Sequence, residues 1–193
     1  MRLETERLVI RDLRRTDAAA FVRMAADGSL AESIGFDADC GTWMDEWIEK
    51  AIRLSEQDDP RGAFLAYTIE TKDEQEVVGS VGCSYYEDLK QVGITYFIGA
   101  NVRNRGYAAE AVRAFVPYFF EHFEEEALIA NILQENAPSQ KVAEQAGFLL
   151  KEVRMYRDSD DKEEKLYRFY YMRRPASGAE QNLEENEWIK KQS

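Results

Sequence analysis

A chain of 193 residues, 45% hydrophobic and 12% aromatic, can bury one well-formed α/β core and is too short for two comfortable ones. A net charge of −12 argues against nucleic acid as a partner, because phosphate backbones are gripped by clustered Lys and Arg. No apolar run approaches the ~20 residues of a membrane span, Glu4 and Glu6 stand where a signal peptide needs an apolar core, and two cysteines with one histidine supply neither a disulfide framework nor a metal-ligand cluster, so a cytoplasmic protein with no membrane partner and no metal is expected.

In chain order, Leu8-Val9-Ile10 reads as a first strand. Thr16 and Asp17 read as caps of a helix reaching about Ala26, and residues 41–55 set Trp43, Met44, Trp47, Ile48, Ala51 and Ile52 at helical spacing. Strands are expected over residues 63–70, 77–86 and 92–100, the first two parted by the polar turn Thr71-Lys72-Asp73-Glu74. A helix over 107–123 buries Val112, Phe115, Val116, Phe119 and Phe123, and Pro117 inside it should bend or interrupt it. Residues 127–133 read as a strand and 138–146 as a helix. Residues 148–157 and 165–172 form a hairpin turning at Asp158-Ser159-Asp160-Asp161. The tail 175–193 is polar, either disordered or a short helix docking through Leu183, Trp188 and Ile189.

Two segments carry chemistry. Arg103-Asn104-Arg105-Gly106-Tyr107-Ala108 joins a strand to a helix; Gly106 admits backbone angles closed to other residues, and the free amides of the helix start favour an anion. Some thirty residues later, Asn136-Ala137-Pro138-Ser139 opens a helix that stops at Ala146-Gly147-Phe148. Together, Arg-x-x-Gly-x-Ala and Asn-x-x-Ser ending in Ala-Gly-Phe resemble the GCN5-related N-acetyltransferases, the acyl-CoA-dependent GNAT superfamily. The opening Leu3-Glu4-Thr5-Glu6-Arg7-Leu8-Val9-Ile10-Arg11 resembles its ribosomal-protein acetyltransferase branch, the RimJ/RimL type. The resemblance covers roughly residues 1–174, as one domain.

The resemblance implies an α/β (α+β) fold with a mixed, mostly antiparallel central sheet flanked by helices and splayed between the family's fourth and fifth strands. Acetyl-CoA is the implied co-substrate. Its pantetheine arm would run along Tyr96, Phe97 and Ile98, and its pyrophosphate would sit on the amides of Arg105, Gly106, Tyr107 and Ala108. Arg103 or Arg105 would add charge; Tyr107 either covers the cofactor or packs, and Asn136 either holds the pantetheine or the acceptor by its amide or merely opens the helix. Ser139 stands where relatives carry a serine proposed to protonate the departing thiolate, with helix capping as the other reading of its hydroxyl.

Two departures bear on mechanism: Gly93 replaces a glutamate often found early in that strand, and Ala143 replaces the tyrosine of other branches. Tyr85, Tyr86, Glu87 and a water chain remain as candidates for a base. His122 reads as a partner of its helix C-terminus and Cys83 as a buried strand residue. The acceptor implied is a primary amine, a protein N-terminal α-amine or a small molecule. An α-amine of pKa ~8 costs only about 1.4 kcal/mol to deprotonate at pH 7, against about 4.6 for lysine. A catalytically silent acyl-CoA-binding module of the same fold is the alternative, and a homodimer stays open.

Overall fold

The computed structural model describes residues 1–158 and 161–175. The eight strands form one sheet, ordered β1-β2-β3-β4-β5-β6-β8-β7. In chain order they are β1 (Arg2–Glu4), β2 (Leu8–Asp12), β3 (Phe64–Thr71), β4 (Val77–Tyr86), β5 (Gln91–Ile98), β6 (Ala127–Leu133), β7 (Leu149–Tyr156) and β8 (Lys165–Arg173). Helices α1 (Ala18–Ala25), α2 (Ala31–Ile34) and α3 (Met44–Gln57) lie between β2 and β3, α4 (Tyr107–His122) between β5 and β6, and α5 (Ala137–Gln145) between β6 and β7. The sheet is antiparallel throughout except at β5 and β6. The turn expected at 158–161 includes residues outside those described, and so does almost all of the tail, with Leu183, Trp188 and Ile189.

Two apolar layers clasp the sheet. The stripe Val112, Phe115, Val116, Phe119 and Phe123 is buried against Leu65, Val81, Val92 and Ile94. On the other side Phe21, Met44 and Ile48 pack with Phe36 and Phe97, and Phe97 lies edge-on to Phe21 at 5.3 Å and to Phe36 at 5.4 Å. At the sheet's far edge β7 leaves Leu149, Leu150, Val153 and Met155 exposed.

Two local expectations change. Helix α4 runs unbroken through Pro117, which lies on its exposed side, so the carbonyl four residues earlier, at exposed Arg113, can be hydrated instead of bonded within the helix. Asp17 does not cap α1. Its carboxylate turns inward, accepting from both terminal nitrogens of Arg11 at 2.8 and 2.9 Å, from the Thr68 hydroxyl at 2.7 Å and from the Arg14 amide at 2.9 Å. Arg11 also holds Glu70 at 2.8 Å, tying β2, β3 and the start of α1 at one buried point. Among the described residues no helix is long and apolar enough to cross a membrane.

Candidate active site

The sheet opens between β5 and β6. Strand β5 pairs with β4 along its length, from Gln91 opposite Tyr86 to Ile98 opposite Gly79, whereas it meets β6 at one register point, Gly93 opposite Ile129. The strands are parallel, so their C-terminal halves diverge from that point. At the top of β5 the amide of Gly99 donates to the Val78 carbonyl on β4, and the Ile98 carbonyl, on the opposite side of the same trans peptide, therefore faces the split. By the two-residue alternation of an antiparallel ladder the Tyr96 backbone faces it as well, while that of Phe97 turns toward β4. Phe97 thus serves the aromatic core rather than the split.

Above the split comes the loop. A short 3-10 turn, Ala100–Val102, leads into Asn104 (φ 63°) and Gly106 (φ 81°), two left-handed residues flanking Arg105. Glycine suits Gly106 because the position is left-handed. Gly106 is the N-cap of α4, none of the described side chains caps that end, and the first helical bond runs from the Glu110 amide to the Gly106 carbonyl. The amides of Tyr107, Ala108 and Ala109 are thereby left without helical acceptors at the positive end of the dipole.

The two loop arginines are held differently. Arg103 folds back, donating through Nε to the Ile98 carbonyl at 3.2 Å and through Nη2 to the Ser29 hydroxyl at 2.8 Å, so it latches the top of β5 instead of facing the amides. Arg105 remains exposed beside them. Tyr107 is half-buried under the Arg7 guanidinium, 4.9 Å from its ring centre.

Across the split stands the start of α5. Asn136 caps it: its Oδ1 accepts from the Ser139 amide at 3.2 Å, and Pro138 stands in the first turn. The capping group is therefore the Asn136 side chain, and the Ser139 hydroxyl takes no part in it. Tyr96 reaches over from β5, its hydroxyl donating to the Ser139 carbonyl at 2.9 Å, and burial pushes that phenol's pKa upward. Tyr96, Ser139 and Asn136 thus meet at one place, one helical turn from the small side chain of Ala143.

Among the described residues no poised base stands near. A Cβ at Gly93 would overlap the Tyr86 ring and approach Ile129 to 3.4 Å, so the space a glutamate would need is filled by that tyrosine. Tyr85 lies beneath Arg61, 5.5 Å from ring centre to guanidinium, and Glu87 is exposed. The carboxyls of Asp17, Glu110 and Asp161 are all held below their ordinary pKa range: burial pushes each upward, and hydrogen bonds from Arg11, from Thr5 and Arg7, and from Tyr167 and Lys165 outweigh it. A general base at neutral pH needs the opposite shift. His122 stacks on Tyr118 at 5.0 Å and pairs with Asp58 at 2.6 Å, at the C-terminal end of α4. Cys83 is fully buried, which pushes its thiol up to about 12 and keeps it from acting as a nucleophile.

Comparison with known proteins finds the same family and the same fold. The family described as acetyltransferase (GNAT) domain matches residues 7–149. An uncharacterized N-acetyltransferase, YnaD of Bacillus subtilis (strain 168), is 24% identical over 147 residues, 76% of this chain and 82% of YnaD. The solved GNAT-family acetyltransferase from Bacillus anthracis superposes with a TM-score of 0.75 at 20% identity, covering 90% of this chain and 99% of that one. RimL, a ribosomal-protein α-N-acetyltransferase solved with coenzyme A, superposes with a TM-score of 0.72 at 14% identity, covering 90% and 98%.

Proposed function

Since the chain belongs to the GNAT acetyltransferase family and is an acyl-CoA-dependent acetyltransferase, we propose that it moves the acetyl group of acetyl-CoA directly to a primary amine, either a protein N-terminal α-amine, as in the RimJ/RimL branch, or a small molecule. The observation that carries this reading is the split sheet topped by uncapped amides. The pyrophosphate takes the amides of Tyr107 and Ala108 with those of Arg105 and Gly106, and Arg105 adds its charge. The pantetheine runs down the split against the outward-facing backbone of Tyr96 and Ile98, and Arg103 must share or yield the Ile98 carbonyl. The thioester then lies between β5 and the start of α5. The neutral amine attacks its carbonyl carbon and a C–N bond forms as the C–S bond breaks; the Ser139 hydroxyl gives its proton to the leaving sulfur and regains one, through solvent, from the nitrogen, which sheds a proton on becoming an amide.

Gly106→Val tests the site. The left-handed backbone at this position disfavours a β-branched residue, so valine should distort the turn that presents the amides, and its side chain would crowd the Arg7 guanidinium. Affinity for CoA, measured by calorimetry, should fall about tenfold or more, the worth of one or two charge-assisted hydrogen bonds. Unchanged affinity would remove this loop from the site.

With Tyr86 filling the place of a glutamate base, the enzyme depends on amine that is already neutral or loses its proton on binding. Log(kcat/KM) should therefore rise with pH at about unit slope and level off near the acceptor's own pKa, moving from amine to amine. A single inflection below pH 7, the same for every amine, would mean that an enzyme group acts as the base.

A further inference from the structure

Helix α4 carries a charge of the wrong sign for an anion site. Glu110 is in its first turn, one turn from the amides that face the pyrophosphate, where a bare carboxylate would repel it. The carboxylate is, however, enclosed by the turn between β1 and β2: Oε1 accepts from the Thr5 hydroxyl at 2.5 Å and the Arg7 amide at 2.9 Å, and Oε2 from Arg7 Nε at 2.7 Å, with Nη2 at 2.5 Å.

Arg7 has a second hold on the same place. Its Nη1 donates to the carbonyl of Arg105 at 2.9 Å. Because the peptide is trans, fixing that carbonyl toward Arg7 aims the Gly106 amide the other way, outward. The residues on either side of Arg105, Asn104 and Gly106, are both left-handed, and no regular ladder holds this segment. The guanidinium then spreads over the Tyr107 ring. One side chain thus neutralises the acid of the first turn, orients a loop peptide and packs on the residue that begins the helix.

We propose that Arg7 is a positioning residue for acyl-CoA: it holds the Arg105–Gly106 peptide in its anion-facing orientation and cancels the charge of Glu110, without reaching the thioester. The proposal rests on the reading that the loop holds the pyrophosphate.

The test is calorimetric, with CoA and pantetheine as probes, on the wild type and on Arg7→Ala, Arg7→Lys, Arg7→Ala/Glu110→Gln and Gly106→Val. Arg7→Ala should weaken CoA binding about tenfold, because both a fixed amide and a charge balance are lost. Arg7→Lys keeps the charge and loses the fork to Arg105, so it should lose about threefold in a protein that folds normally. Adding Glu110→Gln to Arg7→Ala should recover part of the loss, a rescue that general loosening of the fold would not give. Pantetheine, which lacks the pyrophosphate, should bind all variants alike. The proposal fails if Arg7→Ala and Arg7→Lys bind CoA within twofold of wild type while Gly106→Val does not, or if pantetheine binding falls in parallel with that of CoA. If Gly106→Val also leaves CoA binding unchanged, it is the cradle itself that is wrong.

Discussion

Ser139→Ala is expected to lower kcat about a hundredfold with little change in the KM for acetyl-CoA, the pattern of a group that acts only as the thiolate leaves. The structure makes this substitution unusually clean. The cap of α5 uses the Ser139 amide, and the bond from Tyr96 uses the Ser139 carbonyl; both are backbone groups that alanine keeps. Losing a capping hydroxyl would typically cost about 1 kcal/mol, but here the cap belongs to Asn136, so Tm should stay close to wild type. A kcat within threefold of wild type across a panel of amines would move the donor elsewhere. Tyr96, whose hydroxyl already meets this residue, would be the next to replace, by phenylalanine.

For stability the largest effect is expected at Asp17. Asp17→Ala should cost about 2–4 kcal/mol in denaturant unfolding at pH 7, since it leaves the Thr68 hydroxyl and the Arg14 amide without their acceptor and the buried Arg11 guanidinium with Glu70 as its one carboxylate partner. A helix cap would be worth about 1 kcal/mol, so the measurement separates the two roles. The pH dependence has a definite sign. Burial pushes the Asp17 carboxyl upward, but the bonds from Arg11, Thr68 and Arg14 hold it below its ordinary value. Its contribution is therefore complete above the unfolded carboxyl's pKa of about 3.9 and is lost as pH falls through the lower folded value. Wild type and variant should converge in acid. A cost under about 1.5 kcal/mol at pH 7 would mean that water replaces the carboxylate.

The elements were legible because their periods are clean. Alternation marks the strands at 77–86 and 127–133 to their observed bounds, and the spacing of Val112, Phe115, Val116 and Phe119 marks the buried face of α4. What sequence missed are features set by distant partners. Asp17 looks like a cap because it precedes a helix; only β3, bringing Thr68 and Glu70 beside Arg11, turns it inward. Arg103 and Arg105 are equivalent in a string of letters, but Ser29, far away in the chain, draws Arg103 aside. The loss of a glutamate at Gly93 was visible, whereas the ring filling its place depends on the hairpin register that sets Tyr86 opposite Gln91. Strand β1, three residues long, is too short to leave a pattern.

The excursion from Asp12 to Phe64 leaves β2 and returns on its immediate neighbour β3, so α1, α2 and α3 together form one very long hairpin loop. Loop closure grows only logarithmically with length, and doubling such an excursion costs about 0.6 kcal/mol of closure entropy. Insertions and deletions there that spare Asp17, Ser29 and the aromatic residues packed on Phe97 leave the pairing of β2 with β3 in place, and with it the register that β4 passes to β5. This quarter of the chain can therefore change in length away from those contacts while the strand that flanks the split stays where it is. Grafting experiments that exchange residues 13–63 between relatives have a defined pair of seams at which to cut.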